Sequence, residues 1–249
     1  MLIIISLGTL SKHLKAIGYN EIGNFVSASI VVITIMGVIM FNRIFNKLGP
    51  KAYGFHFKNI KSHFAIGFGL AILIIALVLI MANTVFGIQI DWMGLHTNYE
   101  KPLILSVLVT MAVAIWEEVF FRGLVFTTLY KNQFGFHKSA AISTILFSLV
   151  HWSSFDMQTT SWLWYLGIAF IGYILVILYV NTHSIWTPIF FHFSWNFLVD
   201  LMTAKDNSIG LYSISEYERY SKLVDNIEVF FLGIALVVLW RSKQKIYRF

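Results

Sequence analysis

Long apolar runs constrain this chain more than any other feature. Seven can be read, at roughly 22–42, 63–87, 102–130, 138–152, 161–181, 184–203 and 225–241, and most reach the roughly 20 residues an α-helix needs to cross a bilayer. The run 138–152 is short for a crossing and is expected to tilt little or to be partly buried in protein. Hydrophobic residues make up 58% of the 249 positions and charged residues only 12%, about half the charged share of a soluble domain. A soluble core cannot hide that much apolar surface, so the bilayer is the expected solvent for much of it. No stretch alternates apolar and polar residues as the strands of a membrane barrel would. The expected fold is all-α, a polytopic membrane helical bundle of about seven to eight transmembrane helices. No soluble domain, repeat or low-complexity linker fits between the runs, so residues 1–249 read as a single integral membrane domain.

The opening MLIIISLGTLSKHL lacks the basic n-region and small-residue cleavage site of a signal peptide. It reads as a short first helix or an interfacial segment within residues 1–17. The sequence holds no cysteine, which excludes disulfides, thiolate chemistry and sulfur-based zinc sites. Its net charge of +6 is explained by placement. If 43–62 is cytoplasmic, the alternation of spans puts 131–138, 182–183 and the C-terminal tail on the same side. Those segments hold Arg43, Lys47, Lys51, Lys58, Lys61, Lys131, Lys138, Arg241, Lys243, Lys245 and Arg248, and no acid. The other side holds Lys12, Lys15, Lys101, Lys205, Arg219 and Lys222. Eleven cations against six is a positive-inside bias that puts the C-terminus in the cytoplasm and implies no nucleic-acid partner.

A charged side chain at the centre of a membrane helix costs about 2.5–3.5 kcal/mol on insertion scales, so each one calls for a reason. Within 102–130, Glu118 and Arg122 are four residues apart and share a helix face, so they can pair. Glu117 lies about 100° away around the helix, and the residue four positions on is Phe121. Local pairing explains one carboxylate and leaves the other. In 138–152, Phe147 and His151 share a face at the helix end, with Trp152 beside them as an aromatic-belt residue. In 184–203, His192 and Asn196 stack at i,i+4 on an otherwise aromatic helix, and Pro188 is expected to kink that helix just before His192. Each stretch alone is compatible with polar glue between helices. Together, a carboxylate, two imidazoles and an amide on three helices are the parts for activating water and stabilising an oxyanion.

Three spacings, Glu-Glu-x-x-x-Arg at 117–122, Phe-x-x-x-His at 147–151 and His-x-x-x-Asn at 192–196, resemble in order the three signature motifs of the CPBP family. These are the CAAX-processing and bacteriocin-processing intramembrane proteases, also called Abi proteins. The resemblance covers roughly residues 102–200, read as the catalytic core helices. It implies a membrane or lipidated peptide or protein as substrate and a location in a plasma membrane, expected to be bacterial. By the same resemblance, Glu117 and His151 would activate the hydrolytic water, His192 and Asn196 would hold the oxyanion, and Glu118 and Arg122 would orient the site. A metal-free mechanism is expected, with no cofactor. The alternative is zinc held by Glu117, His151 and His192. Oligomeric state is not readable.

The rival class is a non-catalytic membrane protein, either a peptide-binding immunity factor or a proton-coupled transporter, since intramembrane ionisable residues also mark ion pathways. No inverted repeat or matched pair of broken helices supports a transporter. No serine elbow and no pair of intramembrane aspartates points to another protease class. Bland readings are expected elsewhere. Asp200 faces the outer loop; His13, His56, His63, His96, His137 and His183 are interfacial; Gly67 and Gly69 are close-packing positions; Glu216 to Arg219 form a solvated loop.

Overall fold

The computed structural model describes residues 20–92, 100–151, 162–202, 212–214 and 217–241. Segment 1–17, Trp152, His13, His96 and Glu216 lie outside the described residues. Helix α1 (Asn20–Ile44) leads through a 3-10 turn (Pro50–Tyr53) to α2 (Ile60–Thr84) and a short strand β1 (Ile90–Trp92). Helix α3 (Glu100–Glu118) runs without a break into a π-helical segment (Val119–Phe126) and then α4 (Thr127–Lys131). Helices α5 (Phe136–Val150), α6 (Leu163–Thr182) and α7 (Trp186–Met202) follow. Strand β2 (Tyr212–Ile214) pairs antiparallel with β1, Ile90 opposite Ile214, and α8 (Tyr217–Arg241) completes the order. The two three-residue strands form the described sheet and leave the molecule all-α in class.

Among the described residues, four helical stretches are long and apolar enough to cross a membrane: Ile60–Thr84, Leu103–Lys131, Leu163–Thr182 and Arg219–Arg241. Val32–Ile44 and Phe136–Val150 are shorter apolar stretches. The expected seven to eight spans are therefore not shown. One physical reason lies in α5, whose 15 residues rise only ~22 Å against a hydrocarbon core of about 30 Å. Helix α7 has 17 residues and carries the polar groups of the candidate site. The expected loop at 216–219 is also corrected, because Tyr217 to Arg219 form the first turn of α8.

Two apolar clusters hold the bundle together. One gathers Ala71, Ile74 and Val78 of α2, Ile171, Ile174 and Leu175 of α6, Phe191 and Trp195 of α7, and Ile227 and Leu232 of α8. The other gathers Val38 of α1, Ala114 of α3, Val119 and Phe126 of the π segment, Val176 and Val180 of α6, and Ile189 of α7. Helices in a bilayer associate through packing more than through the hydrophobic effect, so close backbone approach matters. At Gly67 a Cβ would lie 2.6 Å from the Phe191 nitrogen and 2.7 Å from the Thr187 carbonyl oxygen, so only glycine lets α2 seat against α7. Gly69 faces open space, so its expected packing role is not met.

Helix α7 begins at Trp186, which puts Pro188 in its first turn. The amide that proline lacks would have no intrahelical partner there, so the expected kink before His192 has no cause. Instead, the Trp186 amide donates to the Ser184 hydroxyl at 3.3 Å. The Ile185 amide donates to the Gly54 carbonyl at 3.3 Å, tying the start of α7 to the loop after α1. Gly54, at φ +87, has no room for a side chain, since its Cβ would lie 2.7 Å from the Ile185 nitrogen.

Candidate active site

Depth decides which polar residues can meet. Glu117 precedes Lys131 by 14 residues and His151 follows Phe136 by 15, so each stands ~21 Å above the turn that joins the two helices. A spanning 138–152 helix would carry His151 to the far membrane face, away from Glu117. Helix α5 instead stops at Val150, and His151 Nε2 lies 4.0 Å from Glu117 Oε2. His192 reaches the same level from the other direction. It lies seven residues above Ile185, whose side chain is 3.4 Å from where a Cβ of Gly123 would stand, and Gly123 is six residues below Glu117.

Glu117 is buried, and among the described residues its Oε2 has no hydrogen-bond partner. That oxygen faces His151 Nε2 at 4.0 Å and His192 Nε2 at 3.9 Å. Both imidazoles are fixed through their other nitrogen. His151 Nδ1 lies 2.8 Å from the Phe147 carbonyl oxygen; a carbonyl only accepts, so Nδ1 carries the hydrogen and Nε2 of the neutral ring presents its lone pair. His192 Nδ1 donates to Glu118 Oε1 at 2.9 Å. The His151 side chain keeps 23% of its exposure, against 4% for His192, so His151 is the more accessible of the two.

Glu118 and Arg122 are fully buried and paired at 2.8 Å, as their spacing predicts. Arg122 also donates to the Gly172 carbonyl at 2.8 Å, and its guanidinium carbon lies 4.7 Å from the Phe147 ring centroid. Phe147 is shared, because its ring also packs on His151 at 4.7 Å and on His192 at 5.8 Å. One aromatic side chain thus lines the arginine and both imidazoles. A desolvated guanidinium over a ring face gains about 2 kcal/mol or more. Asn196 stands one turn beyond His192, half-buried, and makes no hydrogen bond among the described residues. Asp200 is exposed and accepts from the Ser106 hydroxyl at 2.9 Å, outside the cluster as expected.

Zinc held by Glu117, His151 and His192, the alternative to the metal-free expectation, would need these ligands closer together. Ligands around a tetrahedral zinc stand roughly 3.3 Å apart at bonds of about 2.0–2.1 Å, and the two Nε2 atoms are 3.9 and 4.0 Å from the Glu117 oxygen. Among the described residues no group of three His, Asp or Glu is disposed to hold a metal ion.

Sequence reasoning missed the π-helical segment and what holds it. Its backbone is served from outside: Ser143 donates to the Phe121 carbonyl at 2.9 Å, Thr127 to the Arg122 carbonyl at 2.7 Å, and Asn42 to the Gly123 carbonyl at 2.9 Å. The available signal was a set of polar residues in apolar runs. Gly172 could not be found that way, since it contributes only a carbonyl.

No curated protein and no solved structure is significantly similar to the chain. Residues 99–198 match the family model described as Rce1-like, type II CAAX prenyl endopeptidase Rce1-like, and the three motifs built around Glu117, His151 and His192 all fall inside that range. Over this helical segment the chain is similar to the Rce1-like type II CAAX prenyl endopeptidases.

Proposed function

We propose that this protein is an intramembrane endopeptidase that hydrolyses a peptide bond of a membrane-associated or lipidated peptide or protein. The observation that carries the reading is the buried, unpartnered Glu117 oxygen set between two imidazole nitrogens. A water molecule bridges the gap between Glu117 Oε2 and His151 Nε2 and donates a hydrogen to each. Glu117 takes the proton as general base while the water oxygen forms its bond to the substrate carbonyl carbon. The carbonyl oxygen becomes the oxyanion, held by His192 Nε2–H and the Asn196 amide. Collapse of the intermediate breaks the C–N bond, and the proton passes from Glu117 to the leaving nitrogen, giving a carboxylic acid, whose proton then passes to the amine or to solvent, and an amine.

Pairing geometry supports this assignment. Arg122 pairs with Glu118, and His192 Nδ1 bonds the same carboxylate, which leaves His192 Nε2 facing the Glu117 oxygen. An oxyanion at that place needs a hydrogen on His192 Nε2. No step is routed through a metal or a cofactor. The eleven basic residues on one set of loops support a cytoplasmic C-terminus within one membrane domain. Prenylated Cys-a-a-X proteins are the substrate class closest to the family description; bacteriocin leaders are the finer alternative from the motif resemblance.

The test is cleavage in proteoliposomes of a dye-quenched farnesylated Cys-a-a-X peptide and of a dye-quenched leader peptide. Wild type cleaves one of them, and Glu117→Gln and His151→Ala are inactive though folded. Cleavage by either variant sinks the assignment. Proton-coupled solute uptake without cleavage would favour a transporter instead. Activity that survives chelation, with metal content measured, supports the metal-free step; loss restored only by added zinc overturns it. Trapping on Glu117→Gln identifies the natural substrate.

A further inference from the structure

A π-helix is a wide turn, and in proteins it is frequent at functional sites. Inside a bilayer a backbone carbonyl that the helix serves poorly must find another donor. In the π segment Val119–Phe126 three consecutive carbonyls, centred on Arg122, accept a side-chain hydrogen bond, that of Arg122 in addition to the Thr127 amide. Ser143 of α5 takes Phe121, Thr127 of α4 takes Arg122 itself, and Asn42 of α1 takes Gly123. Asn42, Ser143 and Thr127 are all fully buried.

The clamp from α1 has its own support. Asn46 donates to Asn42 Oδ1 at 2.7 Å and to the Thr128 hydroxyl at 2.8 Å, and Lys131 Nζ donates to the Asn46 carbonyl. Asn42 is thereby held with its amide hydrogen aimed at Gly123. Helix α1 lies outside the 99–198 segment that matches the family, so this contact is a contribution of the flanking chain.

We infer that Asn42 and Ser143 are positioning residues for hydrolysis, pinning the backbone on either side of Arg122. The inference rests on the catalytic reading above. The route is a chain of contacts. The clamped backbone fixes Arg122, which reaches Glu118 and the Gly172 carbonyl. Glu118 in turn holds His192 Nδ1, and so sets the direction of His192 Nε2 toward Glu117 Oε2. Phe121, whose carbonyl Ser143 holds, packs edge-on against Phe147 at 5.3 Å, and Phe147 walls both histidines. A loosened π segment therefore moves the oxyanion donor while the peptide-facing surface is left in place. The signature of that role is a loss in kcat with KM little changed.

Asn42→Leu keeps the side-chain size and removes the donor; Ser143→Ala removes the other. Two readouts are needed on the full-length protein in proteoliposomes. The first is steady-state cleavage of the same dye-quenched peptide. Asn42→Leu is expected to lower kcat roughly 10- to 100-fold and Ser143→Ala roughly 3- to 10-fold, with KM within about twofold. Asn42→Gln, which keeps an amide donor, should recover part of the loss. The second is amide hydrogen exchange, which does not depend on any activity. Asn42→Leu should speed exchange in residues 119–126 by about tenfold while α6 is unchanged. Wild-type kcat in Asn42→Leu, alongside an inactive Glu117→Gln, overturns the positioning role and leaves the protease reading intact. A loss of kcat accompanied by faster exchange throughout the bundle, with no recovery in Asn42→Gln, shows a general structural role and overturns it as well. Cleavage by Glu117→Gln, by contrast, removes the protease reading, and exchange confined to 119–126 would then still report the clamp.

Discussion

Two pairs of histidines sit against α7, five residues apart along it, and they do different things. His63 is buried and bonded through Nδ1 to the Thr187 hydroxyl at 2.8 Å. His56, with its ring 6.2 Å from that of His63, donates to the His183 carbonyl at 3.1 Å. Their partners are a hydroxyl and a backbone oxygen, and the bonds staple the loop after α1, and the start of α2, to the start of α7. His151 and His192 are held just as firmly through Nδ1, but each points its second nitrogen at one unpartnered carboxylate oxygen. A buried histidine is therefore not a catalytic sign by itself. The sign is a buried acceptor left open between two of them, and only one of the two pairs has it.

That contrast can be broken most sharply at Glu117. Glu117→Gln should lower kcat by roughly 10²- to 10⁴-fold, the range of a general base, with cleavage of the peptide in proteoliposomes as the measurement. Next in size is Arg122→Met, which strands the Glu118 carboxylate in a dry site. It should lower stability by about 3–5 kcal/mol, read by equilibrium unfolding in mixed micelles. The double variant Glu118→Gln with Arg122→Met should recover most of that loss; no recovery would refute the pairing as its cause. Asn196→Ala should reduce kcat by roughly 10²- to 10³-fold with KM nearly unchanged, and an unchanged kcat would remove the amide from the oxyanion site. The smallest effect belongs to the other histidine pair. His63→Phe should lower stability by about 1 kcal/mol, the net worth of one hydrogen bond, and leave cleavage within about twofold. A large loss of cleavage there would erase the distinction between the pairs.

The Glu118–Arg122 pair was legible from spacing, because four residues on a helix return to the same face in either an α- or a π-turn. Gly67 was legible as a packing position and Gly69 was not separable from it, since a glycine's neighbours belong to another helix. Pro188 misled because its effect depends on where α7 starts, and Trp186 begins that helix only two residues earlier. The π segment had no signature in its own residues. It is held by Asn42 and Ser143, which are 81 and 22 residues from the carbonyls they serve.

The opening feature, a chain of apolar runs interrupted by a few ionisable residues, fixed the solvent and the inventory of reactive groups. Transfer energies are nearly additive by residue and helix periodicity is local, so both can be read from sequence alone. Depth was another matter. Whether His151 meets Glu117 turned on α5 stopping at Val150, and on α3 and α5 sharing one turn as a common origin. Helix ends and relative heights are set by packing between distant segments, and only the tertiary structure decides them.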